Sequence, residues 1–329
     1  MNDSGASSKS TVGSRQPPFR LVVIVGSGRC GSTILDILLG SDPRVQSTGE
    51  LMKLASPDGA TDAPCSCGES SGTCPFWSSV RSSLPAGTTL GELRQGRTRY
   101  ELIRDLPFSL PDVWFRRDGV VEHGRRMATL VRTIAVAGGR SIIVDSSKDP
   151  ARGLLYSLLR DEGIDVRYIH VVRDGRGFVY SKKAHPDGSG LRRTVISKRR
   201  TSALVAQWLG VNLLCSVLFA RRASPYLRVR YEDLVAEPAA VLRQVGAFIG
   251  LDLSETIARV QNGEPVAISH LIGGNRLRFG ASVVLRPDVE WKDKLSVGDK
   301  RMFWRLAGWL ASAYGYRSER VGARAAAPE

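Results

Sequence analysis

Three short stretches of this chain carry residues able to hold an anion. The first is Gly26-Ser27-Gly28-Arg29-Cys30-Gly31-Ser32-Thr33, which follows an apolar run over residues 21–25 and opens an amphipathic run over residues 34–39. Glycines let a backbone close around an anion, and a helix start directs N–H groups and partial positive charge at it. Gly28, Arg29, Cys30, Gly31, Ser32 and Thr33 are the candidate contacts. The pattern nearly matches G-x-x-x-x-G-K-[ST], but Ser32 stands where the phosphate-binding lysine would be. That lysine reaches the outer phosphates of a nucleoside triphosphate, so its replacement argues against ATP or GTP. Arg29 supplies a cation inside the loop instead. The second stretch is Arg173-Asp174-Gly175-Arg176, with Ser181 eight residues beyond Arg173. An arginine at a strand exit and a serine two turns along the next helix bracket a second phosphate. A solvated turn with an Asp–Arg pair would use the same residues, so this stretch gains its meaning from the first. The third stretch is Ser146-Ser147-Lys148-Asp149-Pro150.

Each stretch follows an apolar, β-branched run: residues 21–25, 141–145 and 166–172. Such runs read as strands buried on both faces, and a fourth lies at 227–231. Helical patterns fall between them, at 34–39, 120–137, 150–161, 175–183 and 201–222. Strands separated by helices predict an α/β fold with a central, mostly parallel sheet and right-handed crossovers. Ligands in such a sheet lie at the carboxyl ends of the strands, where the three stretches fall. Residues 45–50 read as a short connector, and Pro107 and Pro111 read as punctuation between helices. The tract 263–287 is broken by glycines and gives no clear element.

The chain has 329 residues and a net charge of +15, which points to an anionic ligand, partner or surface. Nucleic acid is the plainest source of that charge, but no binding module or aromatic–basic stripe accompanies it, so none is expected. Residues 1–18 and 317–329 read as disordered tails, and 19–316 as one domain with a cysteine-containing insertion at about 57–76. Residues 201–220 are apolar enough to raise a membrane span, yet Gln207 and Asn212 favour a buried core helix. No stable membrane insertion is expected, and the reading is cytoplasmic. Of five cysteines, Cys65, Cys67 and Cys74 lie close together. They suggest part of a structural zinc site or a disulfide knot. No fourth ligand lies nearby in sequence, so free or redox-paired thiols are preferred and no metal is assigned.

The stretches Gly26–Thr33, Ser146–Pro150, VVRDGRGFVYS at 171–181 and VRYEDLVAEP at 229–238 together resemble sulfotransferases that use 3′-phosphoadenosine 5′-phosphosulfate (PAPS). Within that family the chain is most similar to the tyrosylprotein branch and its bacterial relatives, over roughly its first three quarters. The resemblance implies a P-loop-like, three-layer α/β sandwich. It maps the 5′-phosphosulfate onto Gly26–Thr33 and the 3′-phosphate onto Arg173 and Ser181. Lys148 then resembles the lysine that stabilises the departing oxygen, with Arg29 steadying the sulfuryl group, and Glu50 resembles the general base. A surface lysine and a first-turn carboxylate are the structural alternatives for Lys148 and Glu50. GNRLRF at 274–279 is similar to a later motif of bacterial members, making Asn275, Arg276 and Arg278 further cofactor candidates. The acceptor is a hydroxyl on an unidentified small molecule, carbohydrate, lipid or peptide. No metal is expected in catalysis. Family members often place a histidine base near the second strand; this chain has Lys148 there, so His123, His170, His185 and His270 have no positional claim. The rivals are a P-loop kinase or nucleotide hydrolase, with Asp145 holding Mg²⁺, and a non-enzymatic nucleotide- or nucleic-acid-binding module.

Overall fold

The computed structural model describes residues 19–55, 63–184, 200–220, 225–280, 285 and 287–318. Most of both predicted tails, part of the cysteine insertion and His185 lie outside them. Five strands form one sheet: β1 (Arg20–Val25), β2 (Val45–Ser47), β3 (Ile142–Lys148), β4 (Asp165–Val172) and β5 (Tyr226–Arg230). The order is β2-β3-β1-β4-β5, and every pairing is parallel. The predicted connector at 45–50 therefore contains a strand, β2, at the sheet edge. Three residues were too few to show a period in the sequence.

Alternation along β1 explains the layers. Leu21, Val23 and Val25 face one side, with Val120, Met127, Val131, Leu154 and Leu155. Val22 and Ile24 face the other, with Leu35, Leu38, Leu242 and Val245. Both faces are covered, as a central parallel strand requires, and the result is the three-layer arrangement with helices outside and the sheet between. Helices follow the predicted pattern with local differences. The Leu106–Trp114 helix contains Pro111 and starts with Pro107 in its first turn, so neither proline separates elements. Pro107 sits where an N–H has no partner to lose. The predicted helix at 150–161 is an α-helix over Pro150–Tyr156 followed by a 3₁₀ stretch, Ser157–Arg160.

The apolar Thr201–Phe219 helix is long enough to cross a membrane by length and composition. It nevertheless places Trp208, Cys215, Leu218 and Phe219 in the core. Buried Asn212 hydrogen-bonds His170, which in turn contacts Tyr226. Burial drives the His170 imidazole down to about 4, and it serves as a neutral core histidine.

Candidate active site

The carboxyl ends of β1, β2, β3 and β4 converge, and each delivers one part of the site. At β1 the chain turns through Gly26 to Gly31 into the Ser32–Gly40 helix. A Cβ on Gly26 would lie 2.4 Å from the Val171 carbonyl oxygen of β4, so the loop leaves the sheet there only as glycine. Gly31 caps the helix at φ 90° with no side-chain cap, and a Cβ there would strike Tyr231. The helix start is thus open to an external acceptor. Ser27 Oγ is buried without a hydrogen-bond partner, which suits an anion seated in the loop. Cys30 is fully buried and packs into the core, so only its backbone is available to a ligand. Ser32 is buried as well, while Thr33 Oγ1 accepts from the Asn275 N–H at 3.2 Å.

Lys148 ends β3 beside the start of the loop, where its carbonyl accepts the Gly26 N–H at 3.3 Å, and an irregularity in the sheet precedes it. Val23 pairs with Asp145, but Val25 pairs with Lys148, so β3 carries one extra residue. A bulge re-aims the side chain that follows it. Lys148 has φ 69° and Arg29 has φ 66°, both left-handed for residues with a Cβ. Such conformations cost free energy and gather at functional sites.

Lys148 Nζ donates to Glu50, which follows β2 and also accepts from Lys53 at 2.8 Å. Burial alone would disfavour the Glu50 anion, but Lys148 and then Lys53 outweigh it and hold the carboxyl at about 2. That value lies below the ordinary 4.5, so the clamp stabilises the fold above pH 4.5, and this contribution fades as pH falls toward 2. The full difference corresponds to roughly 3 kcal/mol. Urea unfolding of the native chain and Glu50→Gln is expected to differ most near neutrality, with the gap closing on acidification. A gap that stays constant down to about pH 3 would show that the pairing contributes no charge-dependent stability.

At the end of β4, Arg173 is buried above the Tyr231 ring, 4.7 Å from its centroid. It donates to the Arg29 carbonyl at 3.2 Å and pairs with Asp288 at 2.7 Å, while its Nε is buried with no partner. One guanidinium therefore touches the glycine loop directly. Ser181 is buried on the same Gly175–Ala184 helix that Arg173 precedes. Arg176 forms a buried salt bridge with Asp174 and lies 4.5 Å from the centre of Trp291. The Asp–Arg turn is thus a packed feature rather than a solvated one.

Asn275 and Arg278 come near the site by different routes. Asn275 Oδ1 accepts from the Leu277 N–H and caps a 3₁₀ turn, Arg276–Phe279. Arg278 is buried, donates to the Gly274 carbonyl at 2.7 Å and keeps a buried, unpartnered Nε. The side chain of Arg276 lies outside the described residues.

Three residues with no role assigned from the sequence belong here. Tyr231 fills the space between Gly31 and Arg173. Glu232 accepts the Asp174 N–H at 2.9 Å and the Tyr316 hydroxyl at 2.7 Å, fixing the β4 turn. Lys182 Nζ would lie 3.8 Å from a Cβ on Gly28, adding a cation beside the loop. Tyr231 and Glu232 stood in the VRYEDLVAEP stretch; Lys182 gave no signal beyond its place after Ser181.

Asp145, the Mg²⁺ candidate of the kinase reading, is fully buried and already engaged. Oδ1 accepts from the Ser147 N–H at 2.8 Å; Oδ2 accepts from Arg152 at 2.9 Å and the Tyr156 hydroxyl at 2.5 Å. Arg152 continues to Glu101, which pairs with His123 at 2.8 Å. Both Asp145 oxygens are thus occupied by protein donors, which leaves Asp145 poorly placed to hold a metal.

Residues 113–255 match the model of the Sulfotransferase family. Carbohydrate sulfotransferase 5 of Mus musculus is 26% identical over 183 residues, and carbohydrate sulfotransferase 6 of Homo sapiens 28% identical over 182. Each match covers 50% of this chain and 45% of the relative, so the chain matches less than half the length of either. The sulfotransferase domain of the Synechococcus PCC 7002 olefin synthase has the same fold, with a TM-score of 0.50 at 18% identity, over 92% of this chain and 97% of that domain. Over residues 113–255 the chain is therefore similar to the sulfotransferase family, and its fold is that of a sulfotransferase domain.

Proposed function

We propose that the chain transfers a sulfuryl group from PAPS to a hydroxyl acceptor. The observation that carries this reading is the convergence of the glycine loop, Lys148, Glu50 and Arg173 at the carboxyl ends of adjacent strands. Gly28 to Thr33 and Arg29 would hold the phosphosulfate, and Arg173 with Ser181 the 3′-phosphate; Arg278 and Asn275 are further contacts. The unpartnered buried Ser27 Oγ and Arg173 Nε support an anionic, phosphate-bearing donor.

The acceptor oxygen attacks sulfur, and the bond from sulfur to the bridging oxygen of the nucleotide breaks. Lys148 covers the charge that grows on that oxygen. Glu50 takes the acceptor proton. Paired with two lysines it is a weak base, so movement of Lys148 toward the donor would raise its basicity as the donor binds. No disulfide joins any of the five cysteines, which supports a reducing compartment, and we place the reaction in the cytoplasm.

Labelled PAPS should transfer its label to one member of a hydroxyl panel of sugars, phenols and peptides. The carbohydrate sulfotransferases among the relatives make sugars the first acceptors to try. Transfer is expected to persist in EDTA, because a sulfuryl group carries less charge than a phosphoryl group and cationic side chains cover it. Activity lost in EDTA and restored by Mg²⁺, or turnover of ATP in place of PAPS, would replace this reading with the kinase one.

A further inference from the structure

We propose that Cys65, Cys67, Cys74 and His270 bind one structural zinc ion. One ligand atom from each lies within 4.8 Å of all the others. His270 Nδ1 is 3.3 Å from Cys74 Sγ and 3.7 Å from Cys65 Sγ. A tetrahedral zinc with bonds of about 2.3 Å to sulfur and about 2.0 Å to nitrogen holds its ligand atoms roughly 3.5–3.8 Å apart. The two separations from His270 Nδ1 bracket the sulfur–nitrogen spacing, and the rest of the set, within 4.8 Å, needs only a small contraction to close on an ion. None of its cysteines is in a disulfide, and Cys65 and Cys74 are buried. Three thiols and an imidazole form the Cys₃His donor set of closed structural sites, with no position left for a substrate.

The surroundings hold the ligands in place. Phe76 stacks on the His270 ring at 5.3 Å and 11°. The Trp77 indole N–H donates to the His270 carbonyl at 3.0 Å. On binding, three S–H protons leave to solvent and three Zn–S bonds form. His270 coordinates through the Nδ1 lone pair with its proton on Nε2. The centre then carries one net negative charge, and Arg278 and Arg140 lie close enough to interact with Cys65 and His270 respectively.

The site explains how a distant segment is tied to the strand ends. Ser66 N–H donates to the Leu271 carbonyl at 3.0 Å, so the cysteine loop is bound to residues 269–272. Glu50 N–H donates to the Ile272 carbonyl at 2.6 Å, and Ile272 N–H to the Thr48 carbonyl at 2.9 Å. Two residues later Gly274 and Asn275 meet Thr33. The ion clips together the loop, the segment carrying Asn275 and Arg278, and the strand exit carrying Glu50.

Elemental analysis of the full chain, expressed in zinc-supplemented medium and purified without chelator, is expected to find one zinc per chain that survives dialysis. A mercurial thiol reagent should release it stoichiometrically to a chromophoric indicator. Cobalt in its place should give the visible bands of a tetrahedral site and thiolate-to-metal charge transfer. Cys74→Ser and His270→Ala should lose the metal, whereas Cys215→Ala should keep it. Should the first two fail to fold, His270→Cys supplies a four-thiolate set and is expected to bind zinc with an altered cobalt spectrum. Absence of stoichiometric zinc, a Cys65–Cys74 disulfide, or iron in its place would each overturn the proposal. These readouts do not depend on sulfuryl transfer, so the zinc site and the activity stand or fall separately.

Discussion

Lys148→Ala is expected to lower kcat by about two to three orders of magnitude while leaving PAPS affinity within a few fold. The reason is that its interaction strengthens as charge builds on the bridging oxygen, so most of the loss falls on the transition state. Its surroundings add a second signature. Lys148 is the strongest favourable partner holding Glu50 at about 2, so its removal should move the Glu50 ionisation upward. The acidic limb of the kcat profile is then expected at higher pH in the variant. Steady-state kinetics across pH, with direct binding of 3′-phosphoadenosine 5′-phosphate by calorimetry, separates the two effects. A large rise in KM for PAPS with unchanged kcat would make Lys148 a binding residue.

Arg173→Ala is expected to weaken 3′-phosphoadenosine 5′-phosphate by roughly ten- to a hundredfold, since a charge-assisted hydrogen bond contributes about 1.5–3 kcal/mol. Affinity for 5′-adenosine monophosphate should change little, because it lacks the 3′-phosphate that Arg173 is proposed to hold. The guanidinium is presently paired with Asp288, whose side chain is 41% exposed and free to yield to a phosphate. Asp288→Ala removes that competitor without removing a cation, and is expected to weaken neither nucleotide. Arg173 also donates to the Arg29 carbonyl, so its loss could loosen the glycine loop. That effect would weaken both nucleotides together. Calorimetry of both nucleotides against all three proteins distinguishes the cases, and equal loss for both would remove Arg173 from the 3′-phosphate site.

Much of this arrangement was legible in the chain because it is local. Each strand exit places its glycines, lysine or arginine within a few residues of an apolar run, and parallel sheets put such exits on one side. The loop at 26–33, Lys148 and Arg173 stand where that rule looks, while Ser181 lies farther along the next helix and was singled out by its spacing and by the family resemblance. The edge strand β2 did not, because three residues carry no period. Nor did Pro111, which lies inside a helix that packing maintains despite the missing donor.

The amino-acid order by itself determined the α/β class, where the buried strands lie along the chain and which strand exits carry candidate anion-binding residues, since these depend on spacings of a few residues. Tertiary structure alone decided which charges meet. Glu50 and Lys148 are 98 residues apart and become a clamp because β2 and β3 are neighbours with a bulge at the exit. Asp145, the Mg²⁺ candidate of the rival kinase reading only, is surrounded on folding by Ser147, Arg152 and Tyr156. His270 stands 196 residues beyond Cys74, too far for any spacing rule, and is brought to the thiols by the backbone pairing of residues 269–272 with the cysteine loop and the end of β2. Long-range neighbours are set by the summed packing of the whole sheet, which no single stretch encodes.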